Sequence, residues 1–335
     1  MFKISNLERF SGEVISIQPH LSSTDSKDNE RLLISQVMEE LAQEMLILDK
    51  SQRTVHTYQY AMKVYMRINK VEYIDEINRM GVLNYIGKPT KEGKPASNKT
   101  KSNRSKTIRA ILNKFHKKGL ITVNFWEDLV IKESTQIKEA AKEEDIIKLV
   151  NSLNQDVFTE FRDACAITLM WETGIRIGTV SRMTIDMVDL DRGIINLPGY
   201  TMKNKKAQQL VITFELAKSL KQLQYYNNQL LALIGKENEL LFITENGNSI
   251  QGSAANNVIS KRLTTYSKKF GLKNINPHSI RRGFATKYLE LGVDIVTISK
   301  LLNHHDISVT SKYLYISDDE ILETMRRINS GFTYK

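Results

Sequence analysis

One cysteine stands among 335 residues, so no disulfide can form within the chain and a disulfide-stapled secreted scaffold is excluded. Cys165 lies inside the apolar run ACAITLMW at 164–171, where a thiol packs as a small hydrophobe. A reducing, cytoplasmic setting is expected. That run is the least polar stretch of the chain, and it falls far short of the roughly 20 residues that cross a bilayer. No membrane partner is expected. The opening MFKISNLERFSGEV carries Glu8 and Glu13 and lacks the basic-then-apolar order of a secretory signal. There is no phosphate loop of the form G-x-x-x-x-G-K-[ST], and no acidic cluster suited to Mg²⁺. His304 and His305 are adjacent, with no third His or Cys at metal-ligand spacing. Neither a metal nor a cofactor is expected.

What the chain does have is positive charge, unevenly placed. The formal net charge is +10. Eleven Lys/Arg against the single acid Glu92 fall within the 31 residues from Lys88 to Lys118, leaving 37 of each sign elsewhere. An even excess would bear only on solubility, whereas a concentrated one implies a surface for a polyanion, nucleic acid above all. A solvated lysine-rich loop is the plainer alternative. The segment NKTKSNRSKTIRAILNKFHKK favours nucleic acid. Ser105 is expected to cap a helix with Ile108, Ile111, Leu112 and Phe115 inward and Lys106, Arg109, Lys114 and Lys117 outward. With Lys99, Lys101 and Arg104, that basic face is the candidate DNA-binding surface.

Residues 1–30 are weakly patterned, with GEVISIQP as a short strand and SSTDSKDNE at 22–30 as a linker. From 31 to 135 the pattern is helical and predicts an all-α domain of four or five helices, of DNA-binding type. LLISQVMEELAQEMLILDK precedes Ser51, a cap for the next helix, and YIDEINRMGVLNYIG is a third unit. The polar stretch KESTQIKEAAKEED at 132–145 marks the boundary. Residues 136–335 read as a second, mixed α/β domain. In it, GIINLPGYTMKNKKAQQLVITF is a hairpin, and a long helix follows with Leu216, Leu220, Leu223 and Leu230 on one face. LLFITENG is a short strand or extended segment, and helices resume near 253. The fold class is mainly α with one small antiparallel sheet.

In NPHSIRRGFATKYLELG, at 276–292, Ile280, Phe284, Tyr288 and Leu291 form one apolar stripe. The helix opens with His278, Arg281 and Arg282, and cations sit at the wrong end of a helix dipole there. A bound anion would relieve the conflict, since backbone N–H groups and guanidinium forks both suit phosphate.

Taken in order, TGIR at 173–176, the lysine hairpin, HSIRRGFAT at 278–286 and LLNHHDISVTSKY at 301–313 resemble the tyrosine recombinase/integrase family. Each motif alone is weak; all of them in register across 138 residues are specific. The resemblance implies that Arg176 and Arg281 clamp the scissile phosphate, where forked hydrogen bonds strengthen as charge builds. It makes Tyr313 the nucleophile, leaving a 3′-phosphotyrosyl link, so that strands are resealed without ATP. It makes a hairpin lysine the general acid, Lys203 or Lys205 with Lys203 preferred. His278 becomes the base and His304 a hydrogen-bond donor to a non-bridging oxygen. Arg282 reads as a structural or phosphate-contacting neighbour, and Tyr315, two residues beyond Tyr313, as packing. Two departures stand out: Thr179 where the family has an acid that buttresses the first arginine, and Asn303 where it has glycine. Asn tolerates left-handed backbone.

The expected activity is therefore site-specific DNA recombination, for mobile-element integration and excision or for multimer resolution. The implied partners are double-stranded DNA with a specific recombination site, gripped between the two domains, and further copies of the chain, two per site and four in synapsis. An accessory DNA-bending or directionality protein is a further implied partner. The helix over 317–329 is the oligomerisation element by resemblance. The alternatives are a type IB topoisomerase, which would relax any supercoiled plasmid, and a non-catalytic architectural DNA-binding protein, in which the six chemical positions would be eroded.

Overall fold

A computed structural model describes residues 31–90, 92–132, 139–202, 206–251, 257–303 and 310. The chain divides into two compact units, Met1–Ser134 and Thr135–Lys335. The expected strand and linker before residue 31, Lys203, Lys205, His304, Tyr313, Tyr315 and the 317–329 helix lie outside the described residues.

In the first unit, α1 (Ile34–Ile47), α2 (Gln52–Asn69), α3 (Arg79–Gly87) and α4 (Asn98–Lys117) pack around one core. Ser51 caps α2 as expected, its hydroxyl accepting from Thr54 N–H. The third helical unit is broken in two, because Asn78 interrupts it and caps α3, leaving Ile74–Glu76 as a single 3₁₀ turn.

The basic helix α4 is longer than expected, and Ser105 is not its cap. Ser97 is, accepting from Thr100 N–H at 3.2 Å. Ser105 is buried two turns in and donates to the Leu129 carbonyl. Reading only apolar residues hid those turns: Ser102 and Ser105 continue the stripe of Ile108, Leu112 and Phe115, small polar side chains standing where little space remains.

In the second unit, α5 (Glu143–Ser152) and α6 (Phe158–Thr173) are followed by the short α7 (Ile177–Val180). The hairpin appears as β2 (Ile194–Leu197) and β3 (Gln208–Val211), with Ile195 opposite Leu210. A third antiparallel strand, β1 (Val188–Asp189), joins its edge. Helices α8 (Phe214–Ile234), α9 (Val258–Lys269), α10 (Pro277–Glu290) and α11 (Ile295–Leu301) follow. Along α8 the buried face is Leu216, Leu220, Leu223, Asn227 and Leu231; Leu230 is only half-buried. The polar Asn227 occupies the expected leucine line because its amide donates to the Leu241 carbonyl at 2.9 Å. LLFITENG makes isolated bridges rather than a strand.

The core runs through Ile167, Met170, Leu220, Phe242, Leu263 and Ile280. Cys165 is within it, its thiol pushed up to about 12 by burial, so it is inert as a nucleophile. A charged cluster penetrates this unit. The buried Asp163 receives Arg162 at 2.6 Å, Tyr266 Oη at 2.8 Å and Arg262 Nε, tying α6 to α9. No described helix is long and apolar enough to cross a membrane.

Candidate active site

The TGIR segment is a helix stop followed by a restart. Gly174 ends α6 in left-handed conformation with φ 62°, its N–H returning to Met170 O at 3.0 Å, as a C-terminal glycine does. Ile175 is buried as a plug, and the half-buried Arg176 occupies the N-cap of α7. Glycine is needed at 174 for a second reason. A Cβ there would fall 2.6 Å from the Phe284 ring and 2.7 Å from Leu302 Cδ2. Left-handed strain and overpacking add, so Gly174→Ala should lower stability by about 2–4 kcal/mol, read as a fall in thermal midpoint with the far-ultraviolet spectrum retained.

Helix α10 starts with Pro277 after Asn276, whose side chain accepts from His278 N–H at 3.1 Å and Ser279 N–H at 3.0 Å, while Ser279 Oγ answers Asn276 N–H at 2.9 Å. This capping box holds the first turn and leaves the His278 side chain exposed.

The two arginines that follow are buried, Arg281 at 3% and Arg282 at 7% exposure. Arg281 donates from one terminal nitrogen to the Gly174 carbonyl and from the other to the Leu302 carbonyl. Gly174 is the C-cap of α6 and Leu302 the C-cap of α11. The negative ends of two other helices thus face the guanidinium, which resolves the apparent conflict with the dipole of α10. Arg282 turns elsewhere, its Nε and one terminal nitrogen donating to the Glu139 carbonyl at 3.1 and 2.7 Å.

After α11 the chain reverses at Asn303, with φ 50°. Asparagine therefore supplies the left-handed turn expected of it. Its amide also donates to the Lys206 carbonyl at 3.2 Å, and Gln208 Nε2 donates to the Leu301 carbonyl at 2.6 Å. These two bonds tie the return of the lysine hairpin to the end of α11, the residues flanking Lys205 and His304 in sequence. Sequence reading missed both braces. The signal was available for Asn303, where a side chain able to hydrogen-bond replaces the expected glycine.

Thr179 is buried and donates to the Met202 thioether at 3.7 Å. Nothing acidic stands at that position; the Arg176 carbonyl, at the N-cap of α7, accepts from Thr179 N–H at 2.8 Å and Val180 N–H at 3.1 Å. Among the described residues no group of His, Cys, Asp and Glu is arranged to hold a metal ion.

On the basic helix of the first unit, Lys99 and Lys106 are exposed, and Lys101 and Lys114 are half-buried. Arg104 and Arg109 have structural partners: Arg104 donates to the Ile86 and Lys88 carbonyls at the end of α3, and Arg109 to the Glu127 carbonyl at 2.9 Å. Arg109 is thus turned along the unit's own surface rather than straight outward.

Residues 139–320 match the profile of the Phage integrase family. The chain is 26% identical over 282 residues to Tyrosine recombinase XerC of Thermodesulfovibrio yellowstonii, covering 82% of this chain and 89% of that protein. It is 27% identical over 281 residues to Tyrosine recombinase XerD of Staphylococcus haemolyticus, covering 81% and 90%. Among solved structures it resembles the Tn1549 transposon integrase in complex with a circular intermediate DNA. That match has a TM-score of 0.65 at 15% identity and covers 87% of this chain and 99% of that one. At that identity the likeness is one of fold.

Proposed function

Since the chain belongs to the phage integrase family, and is a DNA strand-breaking and rejoining enzyme of the tyrosine recombinase kind, we propose that its chemistry runs through Tyr313. The phenolate attacks the scissile phosphorus and forms a 3′-phosphotyrosyl bond, and the 5′ oxygen departs with a proton from Lys203 or, failing that, Lys205. Arg176 and Arg281 hold the non-bridging oxygens, where charge builds in the transition state. His278 takes the tyrosine proton and His304 donates to the phosphate. A second strand's 5′ hydroxyl then reverses the step, and the bond count is conserved throughout, so no ATP is consumed.

The observation that supports this most is the bridge made by Arg281. Its guanidinium joins the Gly174 carbonyl, two residues before Arg176, to the Leu302 carbonyl, two residues before His304. Three motifs, one 107 residues before Arg281 and one 21 residues after it, converge on one group.

Double-stranded DNA with a defined site is the substrate, in keeping with the DNA complex of the Tn1549 integrase. The exposed lysines of α4 serve as phosphate contacts, with two copies per site and four in the synaptic complex. The test is a nicked duplex from DNA flanking the gene. A covalent protein–DNA adduct should accumulate at one position, with log affinity falling linearly with log salt, by about 0.9 per phosphate contacted. Relaxation of supercoiled plasmid lacking any site would instead identify a topoisomerase, and no adduct on any flanking DNA would overturn the proposal.

A further inference from the structure

A short strap, residues 139–143, lies along α10. Ala141 N–H donates to the Ser279 carbonyl at 2.9 Å, and Arg282 grips the Glu139 carbonyl with two donors. The Glu139 carboxylate receives the amide of Asn274, just before α10, and Lys287 pairs with Glu143 one turn beyond Arg282. The approach is close: a Cβ on Gly283 would stand 2.5 Å from the Ala141 carbonyl and 2.5 Å from the Trp171 ring. The strap and α6 therefore seat α10 along its length with no space for a side chain at 283.

Neighbouring residues on a helix point about 100° apart. Arg281 faces the Gly174 and Leu302 carbonyls while Arg282 faces the strap. Filling the space at 282 would need only an apolar side chain. A planar fork on one main-chain oxygen does something more, because it sets both the distance and the rotation of the helix about its axis. Rotation of α10 moves Arg281 and His278 together, and displacement on the order of 1 Å is enough to cost about a hundredfold in rate.

We propose that Arg282 is a positioning residue for strand cleavage: by locking α10 to the 139–143 strap it fixes the rotation at which Arg281 and His278 meet the scissile phosphate. This rests on the function proposed above. It takes up the structural reading of Arg282 rather than the alternative, a contact to DNA phosphate.

Arg282→Met removes both donors and keeps much of the volume. On the nicked duplex at saturating protein, its cleavage rate should fall about 10- to 100-fold, with the dissociation constant and its salt slope unchanged. Hydrogen exchange at the Ala141 amide should rise. Arg282→Lys, which retains one donor, should recover part of the rate and fold even if the methionine variant does not. Ala141→Pro, which removes the N–H given to Ser279, should produce a similar loss that does not multiply with that of Arg282→Lys. A weaker affinity with the salt slope reduced by about one would make Arg282 a phosphate contact and overturn the proposal. So would faster exchange at Ala141 with cleavage unaltered. Failure of the wild-type protein to form any adduct would instead strike the proposed function, so the two failures are distinct.

Discussion

Tyr313→Phe should bind its DNA site with unchanged affinity and form no covalent adduct on a nicked duplex, a loss on the order of 10⁴-fold or more in cleavage. Phenylalanine keeps the ring and loses the one atom with a lone pair able to attack phosphorus. Affinity rests on many phosphate contacts, so one uncharged oxygen contributes little to it. The wild-type reaction needs proton removal, since a tyrosine hydroxyl ordinarily titrates near 10, and His278, exposed at the first turn of α10, has the right chemistry to accept it. The measurement is denaturing electrophoresis of end-labelled DNA after incubation. An adduct that persists in Tyr313→Phe and vanishes in Tyr315→Phe would move the nucleophile two residues on.

Arg281→Lys should reduce cleavage by about 10²–10³-fold, the usual consequence of removing a preorganised donor from a developing oxyanion. It should also lower stability, which sets it apart from Tyr313→Phe. The guanidinium reaches two carbonyls from opposite terminal nitrogens, and an ammonium has a single centre that cannot span them. One helix end, at Gly174 or Leu302, is left with a buried acceptor unmet, at a cost of about 1–3 kcal/mol. Thermal denaturation and single-turnover cleavage, measured on the same preparation, check both effects. A variant with normal stability and normal cleavage would remove Arg281 from the reaction and from the framework alike.

The contrast between Arg281 and Arg282 shows how far the sequence could be read. Both arginines open the same helix, and both looked suited to phosphate. Their partners lie more than a hundred residues away at Gly174 and Glu139, and no local pattern announces either. Asn303 was more legible, because its left-handed turn follows from backbone sterics and appears at φ 50°. Its bond to Lys206 was not, since that depends on where β3 returns. The cap of α4 was misplaced because Ser102 and Ser105 are core residues without being apolar. Arg104 and Arg109 illustrate the same limit on a surface: charge counting finds the cations, and only packing shows which of them hold carbonyls.

The sequence alone determined what depends on periodicity, local sterics and the order of chemical groups. The helical patterns of α1 and α2, the cap at Ser51, the hairpin, and the succession of Arg, Lys, His-x-x-Arg, His and Tyr are all of this kind, as are Ile280 and Phe284 of the α10 stripe, whose expected last member Leu291 is exposed beyond the helix end. Tertiary structure decided what the two buried guanidinium groups and one amide touch: Arg281 between the C-terminal ends of α6 and α11, Arg282 on the 139–143 strap, and the Asn303 amide on the Lys206 carbonyl. The reason is physical. A helix or turn is specified by neighbours in the chain, whereas a buried guanidinium is satisfied by whichever carbonyls folding brings to it, and those belong to distant segments.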